Sequence, residues 1–114
     1  MKYALLLLVP GLLAAQEGNV QNGKRLYLKD GCYECHGTVG QGNYGTGAKL
    51  APKPPPWSTV STYVRKPTGQ MPSFSASILA DKDLADIYAY LQSIPAGKPY
   101  SQIPILSGTT MKAK

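Results

Sequence analysis

The order of apolar and polar positions divides the chain into a leader, a set of short helices joined by loops, and a tail. Residues 4–15 are apolar apart from the Pro10-Gly11 break, and they follow the positive Lys2. Gln16 and Glu17 then restore polarity. This layout predicts a secretory signal over 1–15, too short for a comfortable membrane span, which needs about 20 residues. Cleavage after Ala15 leaves Leu13 where a small residue is preferred, so the layout marks the signal better than the cut. A buried core helix fits less well, because Pro10 would interrupt it.

Beyond the leader, helical spacing alternates with breaker-rich stretches. Residues 19–30 read as a helix with Val20, Gly23 and Tyr27 near one face, Asn19 as its cap and Gly31 as a left-handed stop. Residues 37–56 hold five glycines and then Pro52, Pro54, Pro55 and Pro56, which leaves little room for helix or strand. So long a loop inside a compact domain is unusual unless it wraps something, and it points to a bound cofactor. Residues 57–66 predict a short helix with Trp57, Val60 and Val64 on one side, stopped by Pro67. Residues 68–75 are a further loop. The strongest pattern is 81–94, where Leu84, Ile87, Tyr88 and Leu91 follow the i, i+3, i+4, i+7 rule. Asp81, Asp83 and Asp86 suit the positive end of that helix, and Pro95 ends it. The expectation is an all-α protein: a signal peptide at 1–15, one domain at 16–95 and an extended C-terminal tail at 96–114.

Composition narrows the class. The chain has 114 residues but only one Phe and one Trp, Phe74 and Trp57, so an apolar cofactor would relieve a thin core. Its formal charge of +6 falls by one if Lys2 leaves with the signal. A modest basic excess can steer a protein to an acidic partner surface, though scattered lysines equally serve solvation. Lys24-Arg25 and Arg65-Lys66 are pairs and not a dense patch, which counts against nucleic acid.

Cys32-Tyr33-Glu34-Cys35-His36 is C-x-x-C-H, the attachment pattern of a c-type haem. Two thiols at this spacing can meet the two vinyl groups of one porphyrin edge, while the adjacent imidazole reaches the iron. A zinc site normally needs four ligands, but the chain has two Cys and one His in all. A thioredoxin-like site lacks its βαβ setting. A structural disulfide is compatible with export but leaves His36 and the glycine loop unexplained. One covalent haem c through Cys32 and Cys35, with His36 on the iron, is therefore the reading.

A six-coordinate carrier needs a second strong ligand, usually Met in cytochromes c. Of the three methionines, Met1 leaves with the signal and Met111 sits in the tail. Met71 lies in Gly69-Gln70-Met71-Pro72, where Pro72 biases it toward extended backbone. Met71 is the candidate and Met111 the reserve.

These features resemble the class I c-type cytochromes over residues 23–91: C-x-x-C-H at Cys32–His36, the Met71-Pro72 loop, and the run from Asp83 to Leu91. The resemblance implies a cytochrome c fold, three to four short helices and long loops round one covalently bound haem. It implies that the first and last helices cross near Gly23 and Tyr27, with Ile87, Tyr90 and Leu91 facing them. It also implies a proline twelve residues past the haem histidine whose carbonyl accepts from the imidazole. Here Gly47-Ala48-Lys49-Leu50 occupies that stretch, so Leu50 fits as a haem-packing residue while Ala48 replaces the proline. Ala48 retains a carbonyl but removes the stiffening. Trp57, Tyr63 and Arg65 are candidates for holding the haem propionates, with a solvated helix end as the ordinary alternative for Arg65.

The functional expectation is a periplasmic one-electron carrier that meets redox proteins, either a periplasmic dehydrogenase or a terminal oxidase. It is not itself an enzyme and has no stable membrane span in its mature form. The alternative is an electron-accepting subunit of a flavin- or quinoprotein dehydrogenase, hetero-oligomeric, with Pro52 to Pro56 or the tail as docking elements. A haem enzyme or gas sensor with an open sixth position is the third reading.

Overall fold

The computed structural model describes residues 18–108. The leader at 1–15, Gln16 and Met111 lie outside the described residues. Five α-helices form among the described residues: α1 (Val20–Lys29), α2 (Cys32–His36), α3 (Trp57–Tyr63), α4 (Asp81–Ser93) and α5 (Pro104–Ser107). Among the described residues there is no strand, only an isolated bridge between Asn43 and Gly47. The all-α expectation holds.

Local chemistry sets the bounds of α1. Asn19 Oδ1 accepts from the Asn22 amide at 2.9 Å, which satisfies one of the free donors at the helix start. Gly31, with φ 77°, turns the chain out at the other end, a backbone state that costs glycine little. The α1–α4 pair is the main helix contact of the fold. It depends on Gly23, where a Cβ would overlap the Asp86 carbonyl and the Ile87 amide nitrogen. With the two backbones this close, Tyr27 is fully buried and its ring lies 5.5 Å from that of Tyr90. Leu26, Leu84, Ile87 and Leu91 complete the crossing, and Ala51, Val64 and Leu79 extend the same core from the loops.

Asp86 departs from its sequence reading. It is not part of the exposed acidic turn of α4 but a buried side chain. Its oxygens accept from the Asn19 amide at 2.7 Å, the Asn22 amide group at 2.8 Å and Lys82 at 3.3 Å. The carboxylate thus caps α1 across the helix pair. Burial alone would raise its pKa, but the bonds from Asn22, Asn19 and Lys82 together hold it below the ordinary carboxylate value.

Two helical bounds are shorter than the periodicity suggests. α3 stops at Tyr63, because the Arg65 and Lys66 amides turn back to Thr62 and Tyr63, and the Val64 carbonyl accepts from the Phe74 amide at 3.0 Å. α4 stops at Ser93, and Ile94 is already extended ahead of Pro95. In the tail, extended chain was expected, yet Tyr100–Gln102 forms a 3-10 turn and Pro104–Ser107 a single helical turn. Pro104 sits in the first turn of α5, where its fixed φ suits a helix start and its missing N–H costs nothing.

Candidate haem site

The short helix α2 is the centre of the site. Gly31 and Gly37, both with positive φ, bracket it and leave one turn holding Cys32, Cys35 and His36. All three side chains line one cavity of about 570 Å³, a size within the usual range for small-molecule sites. Met71 lines the same cavity from the loop after α3, together with Gln70, Pro72 and Phe74. Tyr63, Thr68 and Thr46 add hydroxyl groups to its wall.

His36 is oriented from behind. Its Nδ1 lies 2.7 Å from the Ala48 carbonyl oxygen. A carbonyl can only accept, so Nδ1 carries the proton and Nε2 keeps the free lone pair that an iron would take. The missing proline at position 48 therefore costs neither the contact nor its direction. Backbone bonds supply the stiffness instead. The Gly42 amide donates to the His36 carbonyl at 2.7 Å, Asn43 to Gly47 at 2.9 Å, and Leu50 and Ala51 both to Gly40 at 2.8 and 3.0 Å. Gly47 closes the mesh: a Cβ there would strike the Cys35 carbonyl and come within 3.0 Å of the His36 amide nitrogen.

The thiols are unpaired. Burial first, and the nearby Asp30 carboxylate second, push the Cys32 thiol up to about 11, so at neutral pH the free thiol is protonated. Among the described residues no three His, Cys, Asp or Glu side chains are arranged to hold one metal ion between them, and a zinc site normally needs four ligands. Two free thiols, one imidazole with Nε2 available and one thioether line a single cavity, a set of donors that a haem c could use. The residues fit the group.

Three sequence candidates stand elsewhere. Leu50, Trp57 and Arg65 are not among the residues that line the cavity. Leu50 packs against the helix core. The Trp57 ring meets Tyr88 edge-on at 5.4 Å, and the Tyr88 hydroxyl holds the Pro55 carbonyl at 3.0 Å, which pins the proline run to α4. The Arg65 guanidinium is spent on the protein itself, donating to the carbonyls of Phe74 at 2.9 Å and Leu79 at 2.7 Å and pairing with Asp81. In this structure Leu50 and Trp57 pack against the protein, and Arg65 braces the loop and α4 internally.

Two contributors were not legible as such. The Tyr27 hydroxyl donates to the Gly37 carbonyl at 2.7 Å, and the Tyr90 hydroxyl to the Thr38 carbonyl at 3.2 Å. Both belong to the packed helix crossing, and both hold the backbone just after His36. Their hydroxyls, where a phenylalanine would fill the same space, were the available signal.

Residues 18–91 match the family model described as cytochrome C oxidase, cbb3-type, subunit III. No curated protein and no solved structure gives a significant match.

Proposed function

Since the chain belongs to the cytochrome c oxidase, cbb3-type, subunit III family, and so is a class I c-type cytochrome that transfers electrons through covalently bound haem c, we propose that it is a one-electron carrier with His36 and Met71 as its axial ligands. The observation that carries this reading is the convergence of Cys32, Cys35, His36 and Met71 on one cavity, with the imidazole proton fixed on the side of Ala48. When bound, haem c supplies an iron that exchanges a single electron. The chain's own part is positional. α2 presents both thiols on one wall, and the Ala48 carbonyl holds the imidazole in one tautomer. The Met71 loop offers a thioether, a ligand that favours the reduced iron. Phe74 and Pro72 keep the lining apolar, which acts in the same direction. Two protein ligands leave no position for a substrate, so the open-site enzyme or sensor reading falls behind.

The carrier works after export, in the periplasm, directed there by the leader at 1–15. The family's name favours a terminal oxidase over a dehydrogenase as the redox partner, and it moves the alternative from a dehydrogenase subunit to a lasting subunit of an oxidase complex. Purified holoprotein tests the first claim. A reversible one-electron titration and a low-spin oxidised spectrum are expected, and a high-spin five-coordinate spectrum contradicts the ligand assignment. Size-exclusion chromatography of the periplasmic extract and of solubilised membranes separates the two readings. A free carrier elutes at the monomer position, and a subunit elutes with the oxidase.

A further inference from the structure

We propose that Arg65 is a positioning residue for the sixth ligand: its guanidinium holds the Met71 loop closed against the cavity. The inference rests on the assignment of Met71 as an iron ligand. One Arg65 nitrogen donates to two backbone carbonyls, Phe74 at 2.9 Å and Leu79 at 2.7 Å, while the other pairs with Asp81. These three acceptors lie in three successive pieces of chain: the end of the Met71 loop, the turn that carries the buried Leu79, and the first residue of α4. The Phe74 peptide is gripped at both ends, since its amide also donates to the Val64 carbonyl at 3.0 Å. The Val64-Arg65 pair thus fixes the chain three residues beyond Met71, and both Met71 and Phe74 line the cavity.

The other ties on this loop are the hydrogen bonds between the Tyr63 hydroxyl and Thr68 at its start and the packing of Met71 and Phe74 on the core. Residues 69–74 form no helix or bridge, and Gly69 has open space around it with φ 71°. A Met–iron bond is weak beside a His–iron bond, so its persistence depends on how costly it is for the loop to swing away. A guanidinium with several donors in a fixed planar fork suits this role, whereas a lysine can satisfy one carbonyl at a time. Asp81 holds the fork in place and is itself the solvent-facing member of the pair, with Arg65 largely covered.

Imidazole competition on the oxidised holoprotein tests the proposal, with the near-red Met-to-iron charge-transfer band as the readout. Arg65→Met is expected to raise imidazole affinity at least tenfold and to weaken the band, with helix content unchanged by circular dichroism. Amide exchange at Phe74 should speed up in the same variant. Arg65→Lys should lie between it and the parent. Asp81→Asn, which frees the guanidinium without removing it, should shift imidazole affinity in the same direction by a smaller factor. A folded Arg65→Met or Arg65→Lys with parental imidazole affinity and an intact band overturns the proposal. If Arg65→Met does not fold, Arg65→Lys and Asp81→Asn decide the matter by the same readouts. Met71→Ala separates the two claims: a band that survives it removes the ligand assignment and the proposal with it, while a band lost in Met71→Ala but untouched in the Arg65 variants overturns the Arg65 role alone.

Discussion

The Tyr27 hydroxyl donates to the Gly37 carbonyl at 2.7 Å, so the side chain that fills the α1–α4 crossing also fixes the first peptide after His36. Burial, more than the proximity of Cys32 and Tyr90, raises the Tyr27 pKa above its ordinary value, which keeps the phenol protonated and a donor at neutral pH. Tyr27→Phe keeps the packing and removes the donor, leaving a carbonyl unsatisfied. The expected loss is about 1–2 kcal/mol of stability, read as a lower denaturant midpoint with an unchanged m-value.

Gly47 touches the other side of the same turn. Gly47→Ala would push the 43–48 loop off the Cys35 carbonyl and carry the Ala48 acceptor away from His36. The expected result is a holoprotein destabilised by about 1–3 kcal/mol and a raised reduction potential, because an imidazole without its carbonyl partner is a less basic ligand and supports the oxidised iron less. Thermal melts together with a potentiometric titration check both.

Asp86 gives the fold an acid limit. Its folded pKa lies below the unfolded value because Asn22, Asn19 and Lys82 hydrogen-bond the charged form. The stabilisation is therefore complete above the unfolded aspartate pKa of about 3.9 and is lost as pH falls through the folded value. Asp86→Asn should cost about 1.5–3 kcal/mol at neutral pH, the range for hydrogen bonds to a charged group. The variant should also show a flatter stability profile below about pH 4. Urea titrations of parent and variant from neutral to acid pH measure the difference.

Much of this architecture was readable from residue spacing, for physical reasons that differ by element. The 81–94 pattern gave α4 to within one residue at its C-terminal end, because Leu84, Ile87 and Leu91 must share a face to be buried. Asn19 and Gly31 bounded α1 because capping and left-handed turns are local chemistry. C-x-x-C-H located the cavity wall for the same reason. What escaped was long-range. Asp86 looked like a helix-end charge because nothing local reveals that it faces Asn19, a residue 67 positions away in sequence. The internal bonds of Arg65 were hidden because their carbonyl acceptors, Phe74 and Leu79, are brought to it only by the folded Met71 loop. Backbone acceptors carry no mark in the sequence. The same limit hid the Tyr27 and Tyr90 hydroxyl contacts.

The oxidised visible spectrum of holoprotein carrying Met71→Ala, beside the parent and Met111→Ala, tests the ligand assignment most directly. The parent and Met111→Ala should both show the near-red Met-to-iron charge-transfer band, and Met71→Ala should lose it together with a large fall in reduction potential. A band that persists in Met71→Ala, or that vanishes in Met111→Ala, would contradict a His36 and Met71 pair on the iron.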